Sequence, residues 1–156
     1  MTDHQAITDY LAKAAESLAG AESELANRRF NNCANRCYYA SFHAALAALE
    51  AANIPIRSPN GHIRHEHFQA QFAGQLINRR QRYSTDLRRT LSENMILRHT
   101  ADYETYTISE IQAHRALRRC REFVDDGLPI YVVPVRTPGR EAAERRRQQQ
   151  ARAIPD

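Results

Sequence analysis

Apolar residues recur at steps of three and four from the start of the chain. Ile7, Leu11, Ala14, Leu18, Ala21 and Leu25 fall on one stripe, as in a helix with one buried side. Thr2 and Gln5 stand at capping-box spacing and place the start of this helix just after Thr2. The pattern breaks near Asn27–Arg29, and a second helix is predicted from about Phe30 to Ala52. Tyr38, Phe42, Ala45 and Leu49 form its bulky stripe; Cys33, Cys37, Ala40 and Ala44 form a small-residue stripe that lets a neighbour approach closely. Residues Ile54–Gly61, with two prolines, Asn60 and Gly61, read as a turn-rich connection. A third helix across His65 to Arg79 buries Phe68, Phe72 and Leu76. Ser84-Thr85-Asp86 can open a fourth, lasting to about Tyr103, with Leu87, Leu91 and Met95 facing inward. Thr107 and Glu110 give a second capping box, opening a fifth helix through Ile111, Leu117, Cys120 and Val124 that stops at Gly127.

Proline confirms this division. The six prolines lie at 55, 59, 129, 134, 138 and 155, so 1–54 and 60–128 are free of the strongest helix breaker. Alanine occurs 24 times, mostly in the first half. The expected fold is all-α: an up-and-down bundle of about five helices over residues 1–127. Residues 128–156 differ. Leu128-Pro-Ile-Tyr-Val-Val-Pro-Val135 reads as extended, because Pro129 and Pro134 forbid a helix there. Arg140–Ala151 reads as a short charged helix or a solvated basic arm.

A length of 156 residues is about one domain's worth, and 42% hydrophobic with 26% charged residues is ordinary globular composition. A mean hydropathy of −0.66, with no apolar run near membrane length, excludes a transmembrane helix. The N-terminus lacks the basic-then-apolar pattern of a secretory signal, which points to the cytoplasm. Three cysteines without a CxxC pair suggest neither a disulfide framework nor a Cys-rich zinc site. The charge is more informative than its total of +4. Lysine occurs once, at Lys13, so arginine carries nearly all the positive charge. Residues 1–27 hold one Lys against five acids, whereas residues 79–98 hold six Arg against Asp86 and Glu93. A polarised, arginine-dominated surface suits phosphate, since the planar guanidinium can grip two oxygens at once.

Three groups of side chains can carry chemistry. Arg36, Tyr39 and His43 stand at i, i+3 and i+7, on one face of the second helix beside its apolar stripe. A cation, a phenol and an imidazole together can bind a phosphate and move a proton, or can cap the core's edge, with Arg36 paired to a carboxylate elsewhere. Arg98 and Asp102 stand at i, i+4: exposed, such a pair is worth about 0.3–0.5 kcal/mol, and partly buried it orients the guanidinium for a ligand or an interface. Tyr103, five residues on from Arg98, lies about 140° further round the helix and so faces a different neighbour. His62, His65 and His67 cluster after the turn-rich connection, without the Cys or carboxylate spacing of a metal site, and no metal is called for. Phosphate cradles and the serine-hydrolase elbow are missing, and five scattered glycines supply no glycine-rich loop, so no nucleotide cofactor is implied.

Taken together, Phe30-Asn-Asn-Cys-Ala-Asn-Arg36-Cys-Tyr-Tyr-Ala-Ser-Phe-His43, His65-Glu-His-Phe-Gln-Ala-Gln-Phe72 and Leu97-Arg98-His-Thr-Ala-Asp-Tyr103 resemble the prokaryotic HEPN domain superfamily. The likeness is to its branch with an Asn-Arg-x-Tyr-Tyr helix and a later Arg-x-x-Ala-Asp-Tyr, and it covers about residues 5–127. The resemblance implies a helical bundle that pairs as a homodimer and acts on RNA in toxin–antitoxin or other defence systems, often beside a minimal nucleotidyltransferase. Active members are metal-independent endoribonucleases that use an Arg followed four to six residues later by a His. Arg98 matches the Arg, but Asp102 and Tyr103 stand where the His is expected. Arg98, Asp102 and His43 are therefore the catalytic candidates, with His43 or His65 as the proton-moving group if the bundle brings either beside Arg98. Arg36, Tyr39, His65 and Tyr103 are the substrate-binding candidates. The alternatives are a non-catalytic partner that presents nucleotide or substrate to a nucleotidyltransferase, with Tyr103 as a modification target, and a dimerising adaptor locked by Arg98–Asp102 pairs.

Overall fold

The computed structural model describes residues 3–127. They form α1 (His4–Ala26), α2 (Phe30–Ala51), α3 (His65–Gln71), α4 (Asp86–Tyr103) and α5 (Glu110–Arg121), the all-α bundle the sequence predicts. Thr2 itself, the segment read as extended at 128–135 and the segment read as a basic arm lie outside the described residues.

The central helix is α2. Most of its residues are buried, and because so many are Ala or Cys, α1, α4 and α5 can all pack against it closely. The small stripe of Cys33, Cys37 and Ala40 meets Leu18 and Ala21 of α1 and Ala113, Ala116, Leu117 and Cys120 of α5. The bulky stripe of Tyr38, Phe42 and Leu49 meets Phe68, Phe72 and Leu76 after the turn-rich connection, and Leu87 and Leu91 of α4. Both α1 and α2 end with a left-handed residue: Arg28 at φ 59° and Asn53 at φ 54°. In each case the next amide reaches back five residues, Arg29 to the Glu24 carbonyl and Ile54 to the Leu49 carbonyl, both at 2.9 Å.

Four local features depart from the sequence expectation. The cap of α1 is Asp3, whose carboxylate accepts from the amides of Gln5 and Ala6 at 3.0 Å. The box opening α5 is Ser109 with Gln112, each side chain bonded to the other's backbone amide, rather than Thr107 with Glu110. The cause is visible: Asn31 accepts the Ile108 amide at 2.8 Å and holds the chain extended past Thr107. With α5 starting at Glu110, its inner face is Ala113, Ala116, Leu117 and Cys120, and Ile111 points outward, 64% exposed. Finally, the third helix is α-helical only to Gln71 and continues as a π-helix, Phe72–Arg79; α5 likewise continues as Glu122–Gly127. The wider i→i+5 winding puts Phe72 and Ile77, five residues apart, on the same buried side.

Candidate functional site

On α4 the inward face is apolar at Leu87 and Leu91 and then becomes polar. Asn94 is fully buried and donates to Ser41 Oγ of α2 at 3.0 Å. One turn further, Arg98 points the same way, into the space beside α2. Its side chain is 21% exposed and that of Asp102 26%, so the pair is half-buried at the edge of the bundle, the case in which it orients the guanidinium. Arg98 Nε lies 2.8 Å from Asp102 Oδ2, off the line of a hydrogen bond.

The guanidinium is walled by aromatic rings. It stands 5.6 Å from the centre of the Tyr38 ring, 5.8 Å from Tyr39 and 5.6 Å from Tyr103, and Nη2 donates to the Tyr39 hydroxyl at 3.4 Å. Tyr103 thus shares the site with Arg98 in spite of its angular offset, because the long arginine side chain reaches across. Burial works against the Arg98 charge, but Tyr39, Asp102, Tyr103 and Tyr38 outweigh it and hold its pKa above the usual arginine value.

Asn35 ties the helices together. Its amide donates to both Asp102 oxygens, at 3.0 and 3.2 Å, and its carbonyl accepts from Arg36 Nε and Nη2 at 3.1 and 2.6 Å. Among the described residues Arg36 hydrogen-bonds no carboxylate directly but holds Asn35, which holds Asp102, and it stands 5.3 Å over the Tyr39 ring. The result is a chain of contacts, Arg36–Asn35–Asp102–Arg98–Tyr39, with two cations and one carboxylate. A net positive, aromatic-lined site of this kind favours an anion that accepts several hydrogen bonds.

His65 joins the site from α3. Its Nδ1 is 2.5 Å from the hydroxyl of the buried Tyr38, and its ring stacks on Phe42 at 4.9 Å. Burial and then the Arg98 charge hold its pKa below the usual histidine value, so it is neutral at pH 7. Burial raises the Tyr38 phenol, which stays protonated. Where Nδ1–H donates to the Tyr38 oxygen, Nε2 is a bare base; where the phenol donates, Nε2 carries the proton. His43 sits apart. Its ring stands 5.3 Å from Phe42, 6.2 Å from Tyr39 and 6.3 Å from Tyr10, and it makes no described contact with Arg98. Burial lowers its pKa as well.

Of the residues singled out in the sequence, the fold thus gathers Arg36, Tyr39, His65, Arg98, Asp102 and Tyr103, and leaves His43 one ring away. Sequence reasoning missed Tyr38, assigned only to the core stripe, and Asn35, whose partner is 67 positions distant. Among the described residues no group of His, Cys, Asp or Glu is arranged to hold a metal ion, and no helix is long and apolar enough to cross a membrane.

No curated protein matches the chain. A family model for the HEPN domain matches residues 7–129. That span holds every residue of the Arg98 site and nearly all of the described bundle, and the chain belongs to the HEPN domain family.

Proposed function

We propose that the protein is a homodimeric HEPN protein of a toxin–antitoxin or defence system that binds RNA at Arg98 and cleaves it without metal. The family in general points to a nuclease or RNA-related role. The observation that carries the finer reading is the juxtaposition of a half-buried, ring-walled Arg98 with a neutral His65. Cleavage needs a base for the 2′-OH and stabilisation of charge on the phosphate. In this reading His65 Nε2 takes the 2′-OH proton, the 2′ oxygen attacks phosphorus, and the P–O5′ bond breaks, leaving a 2′,3′-cyclic phosphate. The leaving oxygen takes a proton from solvent, and Arg98 neutralises the phosphorane. Asp102 orients Arg98, which explains how a carboxylate is useful where the family resemblance leads one to expect a histidine.

Incubating purified protein with single-stranded RNA tests this. Arg98→Ala and His65→Ala should each reduce cleavage by about 10²-fold or more, the usual scale for losing an electrostatic or acid–base group. Cleavage that is equal in Arg98→Ala and the wild type removes Arg98 from the mechanism.

One observation favours a second reading. Tyr103 is 66% exposed with the Arg98 cation against its ring, an accessible phenol beside a phosphate-binding charge. A partner nucleotidyltransferase would transfer a nucleotidyl group from a nucleoside triphosphate to the Tyr103 oxygen, with release of pyrophosphate. Mass spectrometry after co-expression with such a partner would show the added nucleotide on Tyr103, lost in Tyr103→Phe.

A further inference from the structure

The connection between α2 and α3 is a folded hairpin rather than an open loop. Arg57 and Ile63 pair as an antiparallel bridge, the Ser58 amide donates to the His62 carbonyl at 2.9 Å, and the Gly61 amide donates back to the Ser58 carbonyl at 2.8 Å. Gly61 closes the turn at φ 77°, where a side chain is strained. Arg57 braces the hairpin, with Nη1 on the Gly61 carbonyl at 2.9 Å and Nη2 on the Tyr10 hydroxyl at 3.3 Å.

Against the hairpin lies an open cleft of about 370 Å³ lined by Arg57, Ser58, Pro59, Asn60, Arg64 and His67. No carboxylate is in that lining. Several arginines elsewhere are paired with a carboxylate: Arg28 with Glu110, Arg29 with Glu24, Arg119 with Glu93, Arg121 with Glu22. Here the Arg57 guanidinium bonds only neutral oxygens, and the Arg64 side chain makes no hydrogen bond or ion pair among the described residues. Two guanidiniums, a hydroxyl and a side-chain amide thus stand around one space with no counter-charge among the described side chains. Like charges brought together in this way favour an oxyanion with several acceptor oxygens.

We propose that this hairpin cleft is a phosphate subsite that takes a backbone phosphodiester of the RNA strand engaged at Arg98. The inference rests on the RNA reading of the Arg98 site. Continuity argues for the strand over a free phosphate: Arg64 precedes and His67 follows His65 at the start of α3, and His65 is joined to the Arg98 cluster through Tyr38. One strand can therefore run from the hairpin across His65 to Arg98, and Arg57 and Arg64 set its direction without reading its sequence.

Fluorescence anisotropy of a short labelled single-stranded RNA over a salt series tests this on the full chain. Arg64→Gln carries the test, since Arg64 braces nothing, whereas Arg57→Gln also removes the hairpin's support. Arg64→Gln should lower the log–log salt slope by about 0.7, the release expected for one single-strand phosphate contact. Affinity should fall about three- to tenfold at moderate salt, and Arg64→Lys should restore the slope, because a point charge suffices. Arg121→Gln, the loss of an arginine that Glu22 already pairs, should leave both unchanged. If the wild-type chain binds RNA and Arg64→Gln binds it identically, the subsite falls while the RNA reading stands. If the wild type binds no RNA, both fall together. If inorganic phosphate or a mononucleotide competes as well as the RNA for Arg64-dependent binding, the ligand is a free phosphate and the strand contact is wrong.

Discussion

His43 and His65 each bring an imidazole against the aromatic side of α2, and in each burial disfavours the charged ring. Both therefore bind a proton less readily folded than unfolded. Between their lowered folded values and the ordinary value near 6.5, the unfolded chain holds more protons, so stability rises with pH there and is lost as pH falls through that window. Urea midpoints followed by circular dichroism from about pH 7.5 to about 5.5 should decline, and decline less steeply in His43→Gln than in the wild type. Parallel curves would show that His43 protonates equally in both states. At this scale the candidate site was only half legible. Arg98 and Asp102 announce themselves by spacing, but their burial depends on Asn35 and the Tyr38–Tyr39 pair, which reach them from another helix. Tyr38 looks like any core aromatic until the fold puts His65 at its hydroxyl and Arg98 over its ring.

Whole helices were more legible than their ends, because periodicity is carried by many residues and an end by few. The start of α5 shows the difference. Thr107-x-x-Glu110 and Ser109-x-x-Gln112 both fit a capping box, and local sequence does not choose between them. The choice is made by Asn31, which captures the Ile108 amide and delays the helix by two residues. Ser109→Ala should cost about 1 kcal/mol in urea denaturation, while Thr107→Ala, at an exposed position outside the helix, should fall within about 0.5 kcal/mol of the wild type. The reverse ranking would move the helix start. The π-helical run Phe72–Arg79 was invisible in the sequence for a related reason. Phe72, Leu76 and Ile77 satisfy an ordinary helical stripe nearly as well, and the rings that Phe72 packs against, Tyr83 and Phe123, come from outside the segment.

For the molecule as a whole, the placement of large exposed hydrophobics bears on assembly. Ile96 and Tyr103 stand seven residues apart on the outer face of α4, and Tyr106 and Ile111 follow in the connection and first turn of α5; all are more than 60% exposed. Isolated exposed apolar residues are common, but four between positions 96 and 111 would gain by being covered. A second copy of the chain is the occupant that the proposed function requires, and pairing by a two-fold axis would bury the same residues on both copies. Because Tyr103 also walls Arg98, such a pairing would bring the two Arg98 sites towards each other across the seam. Light scattering behind size exclusion should find a dimer for the wild type. Ile96→Lys combined with Ile111→Lys should give a monomer whose urea midpoint is scarcely changed, since both side chains lie outside the core and surface changes shift stability by only about 0.5 kcal/mol. Loss of RNA cleavage in that monomer would tie activity to the pairing. A double variant that remains dimeric would place the seam elsewhere and leave each Arg98 to act alone.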